Sequence, residues 1–245
     1  MLNRRFLLGI ALLTVALGGP AIGEDRATKP LKIIVYGGSG NIGSCIVAEA
    51  VARGHQVTIV DRNPKDGSAP AGVKLIKGDV FDTSDVAKNI AGQDVVVTSV
   101  AVRPTPTRDF YVRLVKSVVD AQRSLKGAKP RYLIVGGASS LEIAPGKRLV
   151  DTLPPTLPEG VKNEILSMVD ALDYLRTVRD TSWTFFSPAQ NISAGTRTGK
   201  FRVGGEQLIK DQNGESRISY EDYAVAMMDE IEKPHYKNKR FTVGY

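Results

Sequence analysis

The feature that most constrains the fold is a glycine-rich turn between an apolar run and a helical pattern. The apolar run Leu31–Tyr36 is followed by Gly37, Gly40 and Gly43, and a second apolar run, Gln56–Asp61, comes after the helical pattern. A strand, a turn with regularly spaced glycines, a helix and a second strand together form a βαβ unit. The segment therefore predicts two neighbouring parallel strands joined by a helix.

The three glycines predict a binding site for a diphosphate at the start of this helix. Free N–H groups and the helix dipole favour negative charge there. In such turns Gly37 permits the tight bend, Gly40 the close approach of a phosphate, and Gly43 the packing of helix on strand. A Walker-type phosphate loop is disfavoured because Ser44, not lysine, follows Gly43. A dinucleotide site is thus favoured over a purely structural turn.

The rest of the chain continues the alternation of strands and helices, which predicts an α/β fold with a doubly wound parallel sheet and helices on both faces. We expect one domain over residues 24–245, with a substrate-side region at about 138–220. Leu141–Gly160 is rich in proline and is predicted to be a loop over the carboxyl end of the sheet. Further strands are predicted at Val73–Val80, Asp94–Ala101, Arg131–Gly137, Ser182–Pro188 and Arg240–Tyr245, and helices at Asn41–Gly54, Thr83–Gly92, about Asp109–Leu125, Asn163–Asp180 and Ser219–Pro234.

Residues at the ends of the second and third strands should contact the adenosine half of a dinucleotide. Asp61, 18 residues after Gly43, can accept hydrogen bonds from both ribose hydroxyls, which favours NAD. The next residue, Arg62, can pair with a 2′-phosphate, which favours NADP. Asp79 follows the third strand, where it could bind the adenine amino group. The sequence leaves the choice between NAD and NADP open.

The N-terminus predicts an exported protein. Arg4 and Arg5 precede an uncharged apolar run, Phe6–Gly19, and small residues follow in Ala21–Gly23. The run is shorter than the roughly 20 residues that a membrane span needs, so residues 1–23 are predicted to be a cleaved signal peptide. The two arginines are compatible with a twin-arginine signal or with an ordinary secretory one, and bacterial periplasm is the expected location. The alternative is an uncleaved segment that holds the protein at the membrane.

Composition argues against several other classes of function. Cleavage removes Arg4 and Arg5 and lowers the net charge from +7 to +5, and the densest basic stretch, Lys233–Arg240, lacks a nucleic-acid-binding pattern. The single cysteine, Cys45, allows no intrachain disulfide, and His55 and His235 lie far apart, so no metal site is expected. No Gly-x-Ser-x-Gly elbow of a serine hydrolase is present.

Several motifs resemble one family over Leu31–Tyr245. "GGSGNIG", "GDVFD", "SWTFFSPA", "GKFRVGG" and "SRISYEDYAVAM" are similar to the atypical short-chain dehydrogenase/reductases, the NAD(P)H-binding or NmrA-like type. Among these the chain most resembles proteins assigned as NADH-flavin reductases, relatives of the biliverdin reductase B type. At the position of Asp61 that group often has an apolar residue, so an NADP preference does not transfer directly. The resemblance implies cofactor contacts at Gly37, Ser39, Gly40, Asn41, Ile42 and Gly43 (diphosphate), Asp61 or Arg62 (ribose), Asp79 and Val80 (adenine), Ala101, and Ser187 and Pro188 (nicotinamide).

The chain lacks the usual catalytic pair of short-chain dehydrogenases. No tyrosine is followed by lysine four residues later, so alcohol oxidation by a Tyr-x-x-x-Lys pair is disfavoured. Hydride transfer to a flavin or another flat acceptor needs no such pair, because solvent can supply the proton. Ser139 and Ser140, just after the fifth strand, are the candidates for contacting nicotinamide or substrate, and Lys162 could approach the same crevice.

Three functions are therefore compatible with the sequence. The first is a nicotinamide-dependent reductase whose small-molecule substrate is a flavin or a similar flat acceptor. The second is a non-catalytic NAD(P)-binding regulatory module, and the third is an epimerase or isomerase, which the missing Tyr-Lys pair disfavours.

Overall fold

The computed structural model describes residues 29–65, 67–101 and 107–245. Most of the strands in these residues belong to one sheet. They are β1 (Lys32–Tyr36), β2 (Gln56–Asp61), β3 (Lys74–Lys77), β4 (Val95–Thr98), β5 (Arg131–Val135), β8 (Trp183–Ser187), β10 (Arg202–Gly204) and β12 (Lys239–Gly244). The strand order is β10-β12-β8-β5-β4-β1-β2-β3, with parallel pairing throughout except for the antiparallel edge pair β10–β12. This confirms the predicted doubly wound α/β fold.

Helices cover both faces of the sheet. They are α1 (Asn41–Ala52), α2 (Thr83–Ile90), α3 (Phe110–Ser124), α4 (Glu159–Thr177) and α5 (Tyr220–Glu232). Successive side chains of a strand point to opposite faces. On β1, Ile34 and Tyr36 accordingly pack with residues of α2, α3 and α4, whereas Ile33 and Val35 pack with α1 and α5. Burial on both faces explains why the strands are continuous apolar runs rather than alternating ones.

The segment predicted as a proline-rich loop contains short ordered elements. A hairpin of β6 (Glu142–Ala144) and β7 (Lys147–Arg148) leads into a 3₁₀ turn at Leu149–Thr152. Helix α4 then begins at Glu159, four residues before the predicted start. Pro158 precedes it, and the first turn is mostly exposed, so it lacks the apolar spacing on which the prediction relied. The loop prediction for Leu141–Gly160 was therefore only partly right.

Helix α5 is capped at its N-terminus by Ser219, the residue at which the helix was predicted to start. The Ser219 hydroxyl accepts from the Asp222 N–H at 3.0 Å. The Asp222 carboxylate accepts from the N–H groups of Thr198 and Gly199 at 2.8 and 2.7 Å and from the Tyr245 hydroxyl at 2.8 Å. Asp222 thus fastens the preceding loop and the last residue to α5. The same loop region contains β9 (Asn191–Ser193) and β11 (Arg217–Ser219), a parallel pair too short to be predicted.

The predicted leader, residues 1–23, lies outside the described residues. Within the described residues no helix is both long and apolar enough to cross a membrane.

Candidate functional site

A cleft lies at the carboxyl ends of the central strands. Its volume is about 710 Å³. It crosses the junction of β1 and β4, where the strand order reverses and where open α/β sheets bind their ligands. Its lining includes Asp61 and Val80, which follow β2 and β3 on one side of this junction, and Ser139, Met168 and Tyr220, which belong to segments after β5 in the chain. The cleft therefore joins the predicted adenosine site to the substrate side.

Two of the three glycines are required by the packing of the protein backbone, independently of any ligand. Gly37 has φ +78°, and a Cβ on it would lie 2.5 Å from the Ser99 carbonyl oxygen. A Cβ on Gly43 would lie 2.1 Å from the carbonyl oxygen of Gly37. Neither distance is tolerable, so Gly37 permits the turn and Gly43 the close contact of α1 with it. Gly43 has this packing role and does not line the cleft.

Gly40 differs, because its surroundings would accept a side chain. A Cβ there would lie 3.4 Å from its nearest neighbour, the oxygen of Gly37, and Gly40 lines the cleft. It is also the N-cap of α1, with no side-chain cap from any described residue and no acidic residue in the first turn. Ser39, Asn41 and Ile42 line the cleft beside it. An uncapped helix N-terminus with open space before it fits a diphosphate.

The end of β2 carries an ionised carboxylate held in place. The Ser39 hydroxyl donates to Asp61 Oδ2 at 2.8 Å, and the Asn63 N–H donates to Oδ1 at 3.1 Å. These hydrogen bonds, with that from Asn63 the stronger influence, hold the pKa of Asp61 below its ordinary value. Arg62 also lines the cleft, with its side chain exposed. Both residues that bear on cofactor choice are thus at the cleft.

The predicted adenine contacts lie at the same end of the cleft. Asp79 and Val80 line it, together with Phe81. Asp79 Oδ1 accepts from the Phe81 N–H at 3.0 Å, and the Asp79 N–H donates to Asp85 Oδ2 at 2.9 Å. These bonds orient the Asp79 carboxylate on a short turn between β3 and α2.

At the other end the structure separates residues that the sequence grouped together. Ala101, Ser139 and Pro188, which were predicted to contact cofactor or substrate, line the cleft. Ser140 and Ser187 do not; both are buried, and both hydroxyls face the guanidinium of Arg240, with Nη1 at 3.2 and 3.5 Å. A direct catalytic contact by Ser140, or a cofactor contact by the Ser187 side chain, is therefore not supported. Lys162 is exposed and lies outside the cleft lining.

Several lining residues were not predicted as site residues. Ile165 and Met168 belong to the apolar stripe that predicted α4, and that stripe was the signal that could have identified them. The Tyr111 N–H donates to the Ser167 hydroxyl at 2.8 Å, which joins the start of α3 to α4. No sequence pattern marks the other members, because separate segments bring them together. The unpredicted members include Tyr111, Leu149, Glu164, Gln190, Ile192 and Tyr220.

The two histidines do not contribute to this site. The His55 ring, at the amino edge of the sheet, accepts from the Leu31 N–H and lies 3.0 Å from Glu232 Oε1. His235 is exposed. In the part of the chain that is described, no three His, Cys, Asp or Glu side chains come together as a metal site. Cys45 is partly buried on α1, where burial raises the pKa of its thiol.

The model of the NAD(P)H-binding family matches residues 37–234, which include the whole glycine turn and most of the cleft lining. The chain belongs to this family. The match confirms the resemblance to the NAD(P)H-binding, NmrA-like type and the prediction of a nicotinamide dinucleotide as cofactor.

Three solved structures support the same assignment. A candidate exported protein from Burkholderia pseudomallei is 45% identical, with TM-score 0.78 over 88% of this chain and 100% of that one. A candidate epimerase from Bacteroides thetaiotaomicron is 36% identical, with TM-score 0.78 over 89% and 98%. A candidate NADH-flavin reductase from Streptococcus pneumoniae is 35% identical, with TM-score 0.74 over 87% and 99%. The chain is thus similar to each of them over nearly its whole length.

Proposed function

We propose that the protein is a reductase that uses a nicotinamide cofactor, with NADH preferred, to reduce a flavin or a similar flat acceptor. The observation that carries the proposal is the continuous cleft, which begins at an ionised carboxylate beside an uncapped helix N-terminus and ends between apolar walls. The similarity to a candidate NADH-flavin reductase supports it.

The cofactor half of the cleft has a suitable group for each part of a dinucleotide. The N–H groups at the start of α1, around Gly40, would hold the diphosphate, Asp61 the adenosine ribose, and Asp79 with Val80 the adenine. The nicotinamide would then lie toward Ala101, Ser139 and Pro188. When bound there, the reduced ring supplies a hydride, which is two electrons and one proton.

The acceptor half is suited to holding a flat ring and excluding water. Leu149, Ile165, Met168 and Ile192 provide apolar surface on three different segments. Two flat rings held face to face lose little entropy when the hydride is transferred, and the remaining proton can come from solvent. The Ser139 hydroxyl can hydrogen-bond a carboxamide or a ring carbonyl at this end. The protein's contribution is therefore orientation rather than acid–base chemistry.

The epimerase alternative requires groups that the cleft does not present. In typical short-chain dehydrogenases the helix after the fifth strand carries the Tyr-x-x-x-Lys pair. Here that helix is α4, and its residues at the cleft are Glu164, Ile165 and Met168. Sugar epimerisation by that pair is therefore disfavoured, although one similar structure is a candidate epimerase.

The test is to titrate the protein with NADH and NADPH and then add riboflavin or FMN to the tighter complex. The proposal expects binding of both cofactors, tighter for NADH, and continuous oxidation after the acceptor is added. Binding without turnover for any flat acceptor would support the regulatory module instead. If neither NADH nor NADPH binds, both the reductase proposal and the regulatory-module alternative are refuted.

We further propose that residues 1–23 direct export and that the protein leaves the cytoplasm folded, with its cofactor bound. The similarity to a candidate exported protein supports export. The twin-arginine route transports folded proteins, and it would deliver a cofactor that is scarce outside the cytoplasm. Replacing Arg4 and Arg5 by lysine should then abolish export; unchanged export would refute this route.

A further inference from the structure

We propose that Arg240 is a positioning residue for the nicotinamide end of the cleft, an inference that rests on the proposed function. Its buried guanidinium joins the segment after β5 to the end of β8. In each segment the residue bonded to Arg240 has a neighbour in the chain that lines the cleft. Ser139 precedes Ser140, and Pro188 follows Ser187. Arg240 does not line the cleft, so it acts through these neighbours.

Arg240 lies where a sheet of this kind normally has an apolar side chain. It is the second residue of β12, and its side chain is 1% exposed. Phe241 packs on the face covered by α1 and α5, so alternation places the Arg240 side chain on the face covered by α4. Burial of a charge costs free energy that an aliphatic side chain would not incur. A specific use for the guanidinium is therefore needed to explain the residue.

The hydrogen bonds of Arg240 connect three separate segments. Nη1 donates to the hydroxyls of Ser140 and Ser187 at 3.2 and 3.5 Å. Nη2 donates to the carbonyl oxygens of Ser140 and Glu206, both at 3.4 Å, and to the Glu206 carboxylate. A planar guanidinium fixes the directions of these donors, which a lysine ammonium does not. The arrangement sets the spacing between the two chain segments that reach the nicotinamide end.

The charge of Arg240 is balanced without involving the cleft. The Glu206 carboxylate also binds Arg176 Nη2 at 2.8 Å. Burial acts to raise the pKa of Glu206, but the hydrogen bond and charge of Arg240, with the charge of Arg176, hold it below its ordinary value. Glu206 thus stays ionised at neutral pH, and it keeps Arg176 as a partner if Arg240 is replaced. We therefore expect Arg240 variants to fold.

A control is available at the amino end of the parallel strands. Arg131, the first residue of β5, is also largely buried, and its Nη2 lies 2.8 Å from Oε1 of the buried Glu230. It does not line the cleft. Arg131→Met removes the same charge and a similar hydrogen-bonded fork, but at the amino end of the strands. It should therefore show the cost of losing a buried arginine without any change at the cleft.

The experiment measures the binding of ADP-ribose and of NADH separately to the wild type, Arg240→Lys, Arg240→Met and Arg131→Met. ADP-ribose contains everything except the nicotinamide. In both Arg240 variants we expect its dissociation constant to stay within about twofold, whereas that of NADH rises about tenfold and turnover falls about 100-fold, the loss typical of an ångström-scale misplacement. Arg131→Met should leave all three quantities unchanged. Thermal unfolding curves of each variant identify a temperature at which all of them are folded, and binding and turnover are measured at that temperature.

A double variant provides a second test that does not depend on whether the Arg240 variants fold. Ser140→Ala with Ser187→Ala removes the two hydroxyl partners and leaves the pairing of Arg240 with Glu206 in place, and it should reproduce the selective loss in part. If ADP-ribose and NADH weaken equally, or if neither changes, the positioning role is refuted and the proposed function stands. If the wild type binds neither ligand, both are refuted.

Discussion

Asp61→Asn should convert a preference for NADH into a preference for NADPH. The carboxylate is fixed by the Ser39 hydroxyl and the Asn63 N–H, and the low pKa of Asp61 keeps it charged at neutral pH. A 2′-phosphate would have to bind beside this charge, with Arg62 as its only compensation among the described residues at this end of the cleft. Asparagine has nearly the same size, but it removes the charge and replaces one acceptor oxygen by an NH2 donor.

The magnitude follows from two contributions. For charges about 5 Å apart, Coulomb's law gives about 0.8 kcal/mol of repulsion per unit charge in water and about 3.3 kcal/mol at an effective dielectric constant of 20. Asp61 is partly exposed, so about 1 to 2 kcal/mol is expected, or about 5- to 30-fold tighter NADPH. The loss of charge-assisted hydrogen bonds to the ribose should weaken NADH by about 1 kcal/mol. The ratio of the two dissociation constants should therefore change by about 30- to 150-fold.

The assay is a titration of nicotinamide fluorescence with NADH and NADPH at low and high salt. Asp120→Asn is the control, because it makes the same charge change on the exposed surface of α3, away from the cleft. The coulombic part of the effect should shrink at high salt as the Debye length shortens. A wild type that prefers NADPH, or a ratio that Asp61→Asn changes less than threefold, would refute the role given to Asp61.

Three further substitutions test the glycine turn and the fastening of the loop before α5. Gly40→Ala should leave the unfolding temperature nearly unchanged but weaken NADH binding at least tenfold, because the methyl group occupies the space before the helix N-terminus; unweakened binding would contradict a diphosphate there. Gly43→Ala should lower the free energy of unfolding by about 2 kcal/mol or more, because its Cβ would lie 2.1 Å from the Gly37 oxygen, and urea denaturation measures this. Asp222→Asn should destabilise the protein at pH 7. Burial acts to raise the pKa of Asp222, but its hydrogen bonds, that from the Thr198 hydroxyl first, hold the pKa below the ordinary value of 3.8. The stabilisation is therefore present above about pH 4 and is lost as the pH falls through the lowered pKa, so the difference from wild type should shrink as the pH is lowered below about 4, and a constant difference would argue against it.

The residues that we propose for the cofactor could be placed at the cleft from the sequence because they are local in sequence. Ser39, Gly40 and Asn41 are consecutive, and Asp61 and Asp79 each follow a strand whose carboxyl end must lie at the same edge of a parallel sheet. Strand periodicity and glycine spacing are therefore sufficient to place them. The residues on the acceptor side could not be placed in this way. Tyr111, Ile165 and Tyr220 lie on three helices whose packing is decided by contacts distant in sequence.

Ser139 and Ser140 show where sequence patterns fail. Both follow β5, and both were equally good candidates from their position. In the structure one lines the cleft and the other is buried against Arg240. A loop has no side-chain period like that of a strand or a helix, so no pattern distinguishes the exposed residue from its neighbour.

Strand β12 contains a buried arginine that its apolar sequence pattern does not predict. "RFTVGY" predicts a strand from Phe241 and Val243, and the structure confirms it. The same strand buries Arg240 and Thr242 on its other face. A strand covered on both faces should be apolar on both, so a charged residue inside it breaks the local rule, and such departures concentrate at functional sites. The departure here leads through Ser140 and Ser187 to the end of the cleft where we propose that the nicotinamide lies. Arg240 substitutions therefore test the placement of that ring separately from the binding of the ADP-ribose half of the cofactor.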